Sequence, residues 1–154
     1  MFHHSDLTKY TQITGYQLIK VEYESLVDWQ VKTDYLRCNP MFHGHPRYDF
    51  IIANLPRGHV FAQLVLVFIC RVGERNYRLA LIQPLDKVSR PSTRNVDKGL
   101  SIHRWNIRAR SKCEVISLDC IVRGAVLVRD PTFSGDYFVI DVLDEDMFLR
   151  VKQI

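Results

Sequence analysis

Val60-Phe61-Ala62-Gln63-Leu64-Val65-Leu66-Val67-Phe68-Ile69-Cys70 is the stretch on which the fold turns. A continuous apolar run of this kind suits either a buried helix or a buried strand. It is too short to cross a bilayer, which takes about 20 apolar residues as a helix. Its β-branched and aromatic side chains favour a strand, which we extend to Val72. The next residues strengthen that reading. Gly73-Glu74-Arg75-Asn76 is a turn sequence, and Tyr77 to Leu85 is again strand-like, so the two runs predict a long hairpin.

Toward the N-terminus, Tyr48 to Asn54 reads as a strand. Gly15 to Tyr23 reads as another, with Tyr16, Leu18 and Val21 interleaved with polar residues. Residues 24–46 hold no clean period, and Pro40 and Pro46 forbid a helix there, so a structured loop is expected. Residues 1–12 are polar and predicted to be loose. Toward the C-terminus, residues 86–100 form a long polar loop and Ile102 to Ile107 a short strand. Glu114 to Val128 follows, with Gly124 marking a bulge or bend, and then Tyr137 to Val142. Asp144 reads as an N-cap, with Glu145 and Asp146 in the first helical turn and Arg150 and Lys152 in the last. The expectation is a mainly β chain: one partly open β-barrel over residues 13–154, with a long basic loop and a short C-terminal helix.

The chain has 154 residues, 47% hydrophobic and 25% charged, which suits one globular domain with its own core. No internal repeat or low-complexity segment interrupts it. Cys38, Cys70, Cys113 and Cys120 form no C-x-x-C pair, and the N-terminus lacks a signal-peptide pattern. Free thiols in a reducing, intracellular compartment are expected, with no membrane association.

Charge is unevenly spread. Residues 1–86 carry 9 basic and 8 acidic side chains, residues 87–112 carry 8 and 1, and residues 113–154 carry 4 and 8, so the middle segment alone is +7. Its cations are Lys87, Arg90, Arg94, Lys98, Arg104, Arg108, Arg110 and Lys112, with His103 and Trp105 among them. Cations contact phosphates, and an aromatic among them stacks on a base. The same residues also suit a merely solvated loop or an acidic protein surface.

A second candidate is the loop carrying His43, His45, Arg47, Tyr48 and Asp49, expected to shape a rim. His43-x-His45 with Asp49, and Cys38 as a fourth donor, is also how a cupin-type metal site begins. A later histidine between Pro131 and Asp141 is missing. Asp141, Asp144, Glu145 and Asp146 are clustered like catalytic carboxylates, but a helix start explains them equally well. There is no G-x-S-x-G, Walker A or dinucleotide fingerprint, so neither an enzyme nor a cofactor is expected.

Two resemblances follow. Phe61 to Pro84, then Ile116 to Val128, then Gly135-Asp136-Tyr137-Phe138, resembles a bromo-adjacent homology domain at the level of pattern. Leu79 to Leu85 lacks the aromatic strand ending in Arg-Pro that those domains place after the hairpin, so a methyl-lysine cage is not implied. Asn39 to Asp49, Phe61-Ala62-Gln63-Leu64 and Asp144 to Arg150 resemble uncharacterised proteins of mushroom-forming fungi, some of them transposon-associated. That likeness implies a domain derived from a longer protein. Together these readings predict a non-enzymatic module, nuclear, that binds nucleic acid or a nucleosome and histone surface. The alternatives are a protein–protein scaffold, for which a dimer is one form, and a metal-dependent cupin-like enzyme.

Overall fold

The computed structural model describes residues 11–88 and 104–154. Its centre is the expected hairpin: β6 (Gly58–Val72) pairs with β7 (Arg75–Lys87) across the turn. β6 is long enough to serve two partners along its other edge. β5 (Phe50–Leu55) pairs with its first half, and β1 (Thr11–Tyr16) with its second. The free edge of β7 is shared likewise between β8 (Arg104–Ile107) and β9 (Glu114–Ser117). β10 (Ile121–Ala125) joins β5, while β11 (Leu127–Arg129) and β12 (Asp136–Val139) extend the sheet from β8.

This ladder begins at β10 and ends at β11, and no ladder joins those two strands, so the expected barrel is not closed. The reason lies in one stretch of chain. β10 and β11 follow each other directly through Val126, and hydrogen-bond to β5 and to β12 respectively rather than to one another. A separate three-stranded sheet, β2 (Leu18–Glu24), β3 (Val31–Phe42) and β4 (His45–Tyr48), completes the strands.

The expected loop over residues 24–46 is therefore mostly strand. Leu36 and Cys38 alternate into the core from β3, which gives that strand one buried face. Pro40 is tolerated because it sits in a register shift between Asn39 and Phe42, and Pro46 because β4 pairs with β3 alone. Thr11 and Gln12, expected to be loose, are also paired in β1.

Two apolar clusters hold the sheets. In the first, Ile51, Ala53, Ala62, Leu64, Val67, Ala80 and Ile82 meet Leu36 and Cys38 of β3. In the second, Ile52, Phe61, Leu85, Trp105, Leu127, Tyr137 and Met147 pack together on the other side of β5 and β6. Along the first half of β6, burial on both faces explains why the sequence shows no alternation. A register shift between Leu64 and Leu66 changes the parity, so that Ala62, Leu64 and Val67 all reach the first cluster.

Among the described residues the α-helix α1 (Glu145–Val151) starts where the sequence places it. The Asp144 carboxylate accepts the Met147 N–H at 2.6 Å, the bond an N-cap makes. Among the described residues no helix is long and apolar enough to cross a membrane.

Candidate functional site

Of the eight cations in residues 87–112, Arg90, Arg94 and Lys98 lie outside the described residues, as does His103. The other five lie along one edge of β7. Lys87 ends that strand opposite Trp105, and a 3-10 turn at Arg110–Lys112 carries the chain from β8 to β9. They are not equivalent. Arg108 grips Asp86 with Nε at 2.8 Å and Nη2 at 2.7 Å, and reaches Glu114 at 3.3 Å. Those bonds hold the Asp86 carboxyl below its ordinary value. Arg104 is mostly buried and paired with Asp130 at 3.2 Å, and its guanidinium lies over Phe133 and Phe138. Lys87, Arg110 and Lys112 are exposed and make no ion pair among the described residues.

Trp105 cannot act as an exposed stacking platform. It is 5% exposed, and its ring meets Phe61 edge-on with centroids 4.9 Å apart inside the second cluster. Strand alternation is the cause: Trp105 points inward from β8, so the surface of this edge is left to the cations.

The rim residues cap the β3–β4 hairpin. His43 has φ 48° and is followed by Gly44 at φ 85°, a left-handed pair that reverses the chain. Phe42 packs edge-on against His43 at 4.3 Å, and the Arg37 and Arg47 guanidiniums each lie 5.1 Å from its ring centroid. Asp49 accepts the Arg37 N–H at 2.8 Å and Arg47 Nε at 3.0 Å. This commitment turns Asp49 to the two arginines, and no cluster of three metal-ligating side chains forms among the described residues. His43 and His45 thus sit at a hairpin end flanked by Arg37 and Arg47, with Asp49 engaged by both arginines.

A cleft of about 490 Å³ separates this hairpin from β10, with Asp34, Tyr35, Arg47, Tyr48, Phe50 and Arg123 in its walls. At its base lies an ion cluster that sequence reasoning missed. Arg123 is buried and donates to both oxygens of Asp144 at 3.1 and 3.0 Å and to Asp146 at 2.7 Å. Its guanidinium stacks 4.5 Å from the Tyr23 ring centroid, with Asp34 at 3.6 Å. Asp146 also accepts Arg150 Nε at 2.7 Å and the Leu26 N–H at 2.6 Å.

The direct bond from Arg123 outweighs burial and holds the Asp144 carboxyl below its ordinary value. Burial alone pushes Asp146 upward, but the bonds from Arg150, Leu26 and Arg123 bring it below its ordinary value. Asp144 and Asp146 thus tie α1 to β10 and to the β2–β3 connection. Arg123, the partner they share, lies more than 20 positions away in sequence, so only the charge order of the helix was visible. The thiols are free: Cys38 is buried, and Cys70, Cys113 and Cys120 are half-buried.

No protein-family model matches this chain, and no curated protein or solved structure matches it.

Proposed function

We propose that this chain is a non-enzymatic module that binds nucleic acid, free or as chromatin, along the β7–β8 edge. The observation carrying this reading is that Lys87, Arg110 and Lys112 share one edge, exposed and without ion pairs among the described residues. Cations free of acidic partners release counterions when they meet phosphate, and this supplies most non-specific affinity. In sequence, Arg90, Arg94 and Lys98 lie between these anchors and add to the same charge. Arg104 and Arg108 hold the edge together rather than contact the ligand. A nuclear setting, a bromo-adjacent-homology-like role and descent from a fungal transposon-associated protein belong to this proposal as its sequence-level part.

The test is binding of duplex DNA, single-stranded DNA and nucleosomes across a salt series. The wild type is compared with Lys87→Gln, Arg110→Gln and Lys112→Gln combined. Each lost phosphate contact lowers the slope of log affinity against log salt by about 0.9, so the triple variant should lose about 2 to 3 from the slope. An unchanged slope, or no binding at low salt, removes the proposal. A second reading, a protein–protein scaffold, is favoured by an apolar sheet face on β1, β6, β7 and β9 that no described residue covers.

A further inference from the structure

The β2–β3–β4 sheet turns one face to the first cluster, through Leu36 and Cys38 of β3. Alternation sends Tyr35 and Arg37 to the outer face. There Lys20 lies opposite Tyr35 across the β2–β3 ladder, and Arg47 opposite Asn39 across the β3–β4 ladder. Strict alternation from Cys38 would turn Phe42 inward. The register shift between Asn39 and Phe42 adds one residue to β3 and sets Phe42 opposite His45, on the outer face with Arg47. The Arg37 and Arg47 guanidiniums accordingly share one ring, each 5.1 Å from its centroid. Asp49 is the carboxylate that serves them, through Arg47 Nε and the Arg37 backbone N–H. Among the described residues, the Arg37 guanidinium and the terminal nitrogens of Arg47 meet no acceptor. Tyr35, on the same face, is 57% exposed.

We propose, building on the nucleic-acid reading above, that this outer face binds single-stranded nucleic acid. Tyr35 stacks on an unpaired base while Arg37 and Arg47 meet the flanking phosphates. Three observations select that ligand. The first is the exposed ring: every base offers a π-face, which a duplex keeps inside its own stack and a single strand presents. The β7–β8 edge has no such platform in Trp105, which is buried. The second is the charge. Two guanidiniums share one carboxylate, and their free planar donors match phosphate oxygens. Lys20 adds nothing to that surplus, because it is paired with Glu22. The third is the rest of the sequence. Residues 1–10 and 89–103 hold Asp6 and Asp97 against Lys9, Arg90, Arg94 and Lys98, a cationic balance that offers the arginines no counter-charge.

Fluorescence anisotropy with labelled oligo(dT), and with its duplex with oligo(dA), across a salt series tests this. Tyr35→Ala should weaken oligo(dT) binding about 5- to 100-fold and leave the duplex within about twofold. Its unfolding midpoint should match the wild type, since the side chain is exposed. Arg37→Gln with Arg47→Gln should lower the single-strand slope of log affinity against log salt by about 1.4, two contacts at about 0.7 each. Two controls should bind as the wild type does: Tyr77→Ala, at an exposed tyrosine of β7, and Arg71→Gln with Arg75→Gln, at exposed arginines beside the β6–β7 turn. If oligo(dT) binding survives in Tyr35→Ala and in the Arg37 and Arg47 variant, but is lost with Lys87, Arg110 and Lys112, this surface is overturned and the β7–β8 edge stands. The opposite pattern supports this surface and removes the edge. An equal loss in either control, or equal weakening of duplex and single strand in Tyr35→Ala, also overturns it. No binding by the wild type at low salt overturns both surfaces.

Discussion

Arg123 of β10 holds Asp144, the cap of α1, through both terminal nitrogens, at 3.1 Å from Nη1 and 3.0 Å from Nη2. One side chain thus joins a strand to a helix formed 21 positions later. The same guanidinium serves Asp146, which is almost fully buried. Replacing Arg123 with alanine leaves Asp144 without its cation and the buried Asp146 with Arg150 alone. We expect a stability loss of about 3–5 kcal/mol, as for other broken buried pairs. Urea denaturation measures it. Arg123→Lys should recover only part, because an ammonium cannot fork across both oxygens of Asp144. A loss below about 1 kcal/mol would show that α1 docks through Met147 and Val151 instead.

The pH dependence has a definite sign. Asp144 and Asp146 are both held below the ordinary carboxyl value of 3.8 in the folded chain. A carboxyl depressed by folding stabilises the fold above its unfolded value, and that contribution is lost as pH falls through the folded value. Stability from this cluster should therefore persist from neutrality down to about the ordinary value and decline only below it. The acid limb of a urea-midpoint profile should flatten in Asp146→Asn. An identical limb in that variant would place the acid sensitivity elsewhere.

At Gly124, β10 packs tightly against β3. A Cβ there would lie 2.8 Å from Leu36 Cδ2 and 3.3 Å from Asp34 Oδ2, the oxygen that accepts the Gly124 N–H at 2.9 Å. Leu36 is a core residue and has little room to move. Gly124→Ala should cost about 1–3 kcal/mol through overpacking. The cost should shrink in a Leu36→Ala background, because the two sites share one contact. Strictly additive losses would mean that β10 shifts as a whole to admit the methyl group.

How much of this was legible depends on the range of the signal. The β6–β7 hairpin was readable because its apolar run and its turn are contiguous, and the helix start because a cap and its dipole charges fall within a few positions. β3 was not, because its buried Leu36 and Cys38 are outnumbered by exposed residues and Pro40 disguises a bulge as a loop. The Arg123 cluster joins residues 34, 123, 144 and 146, and no local pattern announces such a meeting. Trp105 was misjudged because it was read from its cationic neighbours, whereas strand alternation points it inward.

Trp105 and Lys87 face each other across the β7–β8 ladder, with Lys87 Nζ 5.8 Å from the indole centroid, yet they should answer to different measurements. Trp105→Ala removes a large side chain from the second cluster and its edge-on contact with Phe61. It should cost about 3–5 kcal/mol of stability, while the salt slope of DNA binding, measured where the variant is folded, stays the same. Lys87→Gln should do the reverse: stability within about 0.5 kcal/mol of wild type, and a slope smaller by about 0.9. The two readouts separate a residue that builds the edge from one that meets phosphate. A Trp105→Ala variant that keeps its stability but loses single-stranded DNA would mean the indole leaves the core to stack on a base, which its buried position argues against.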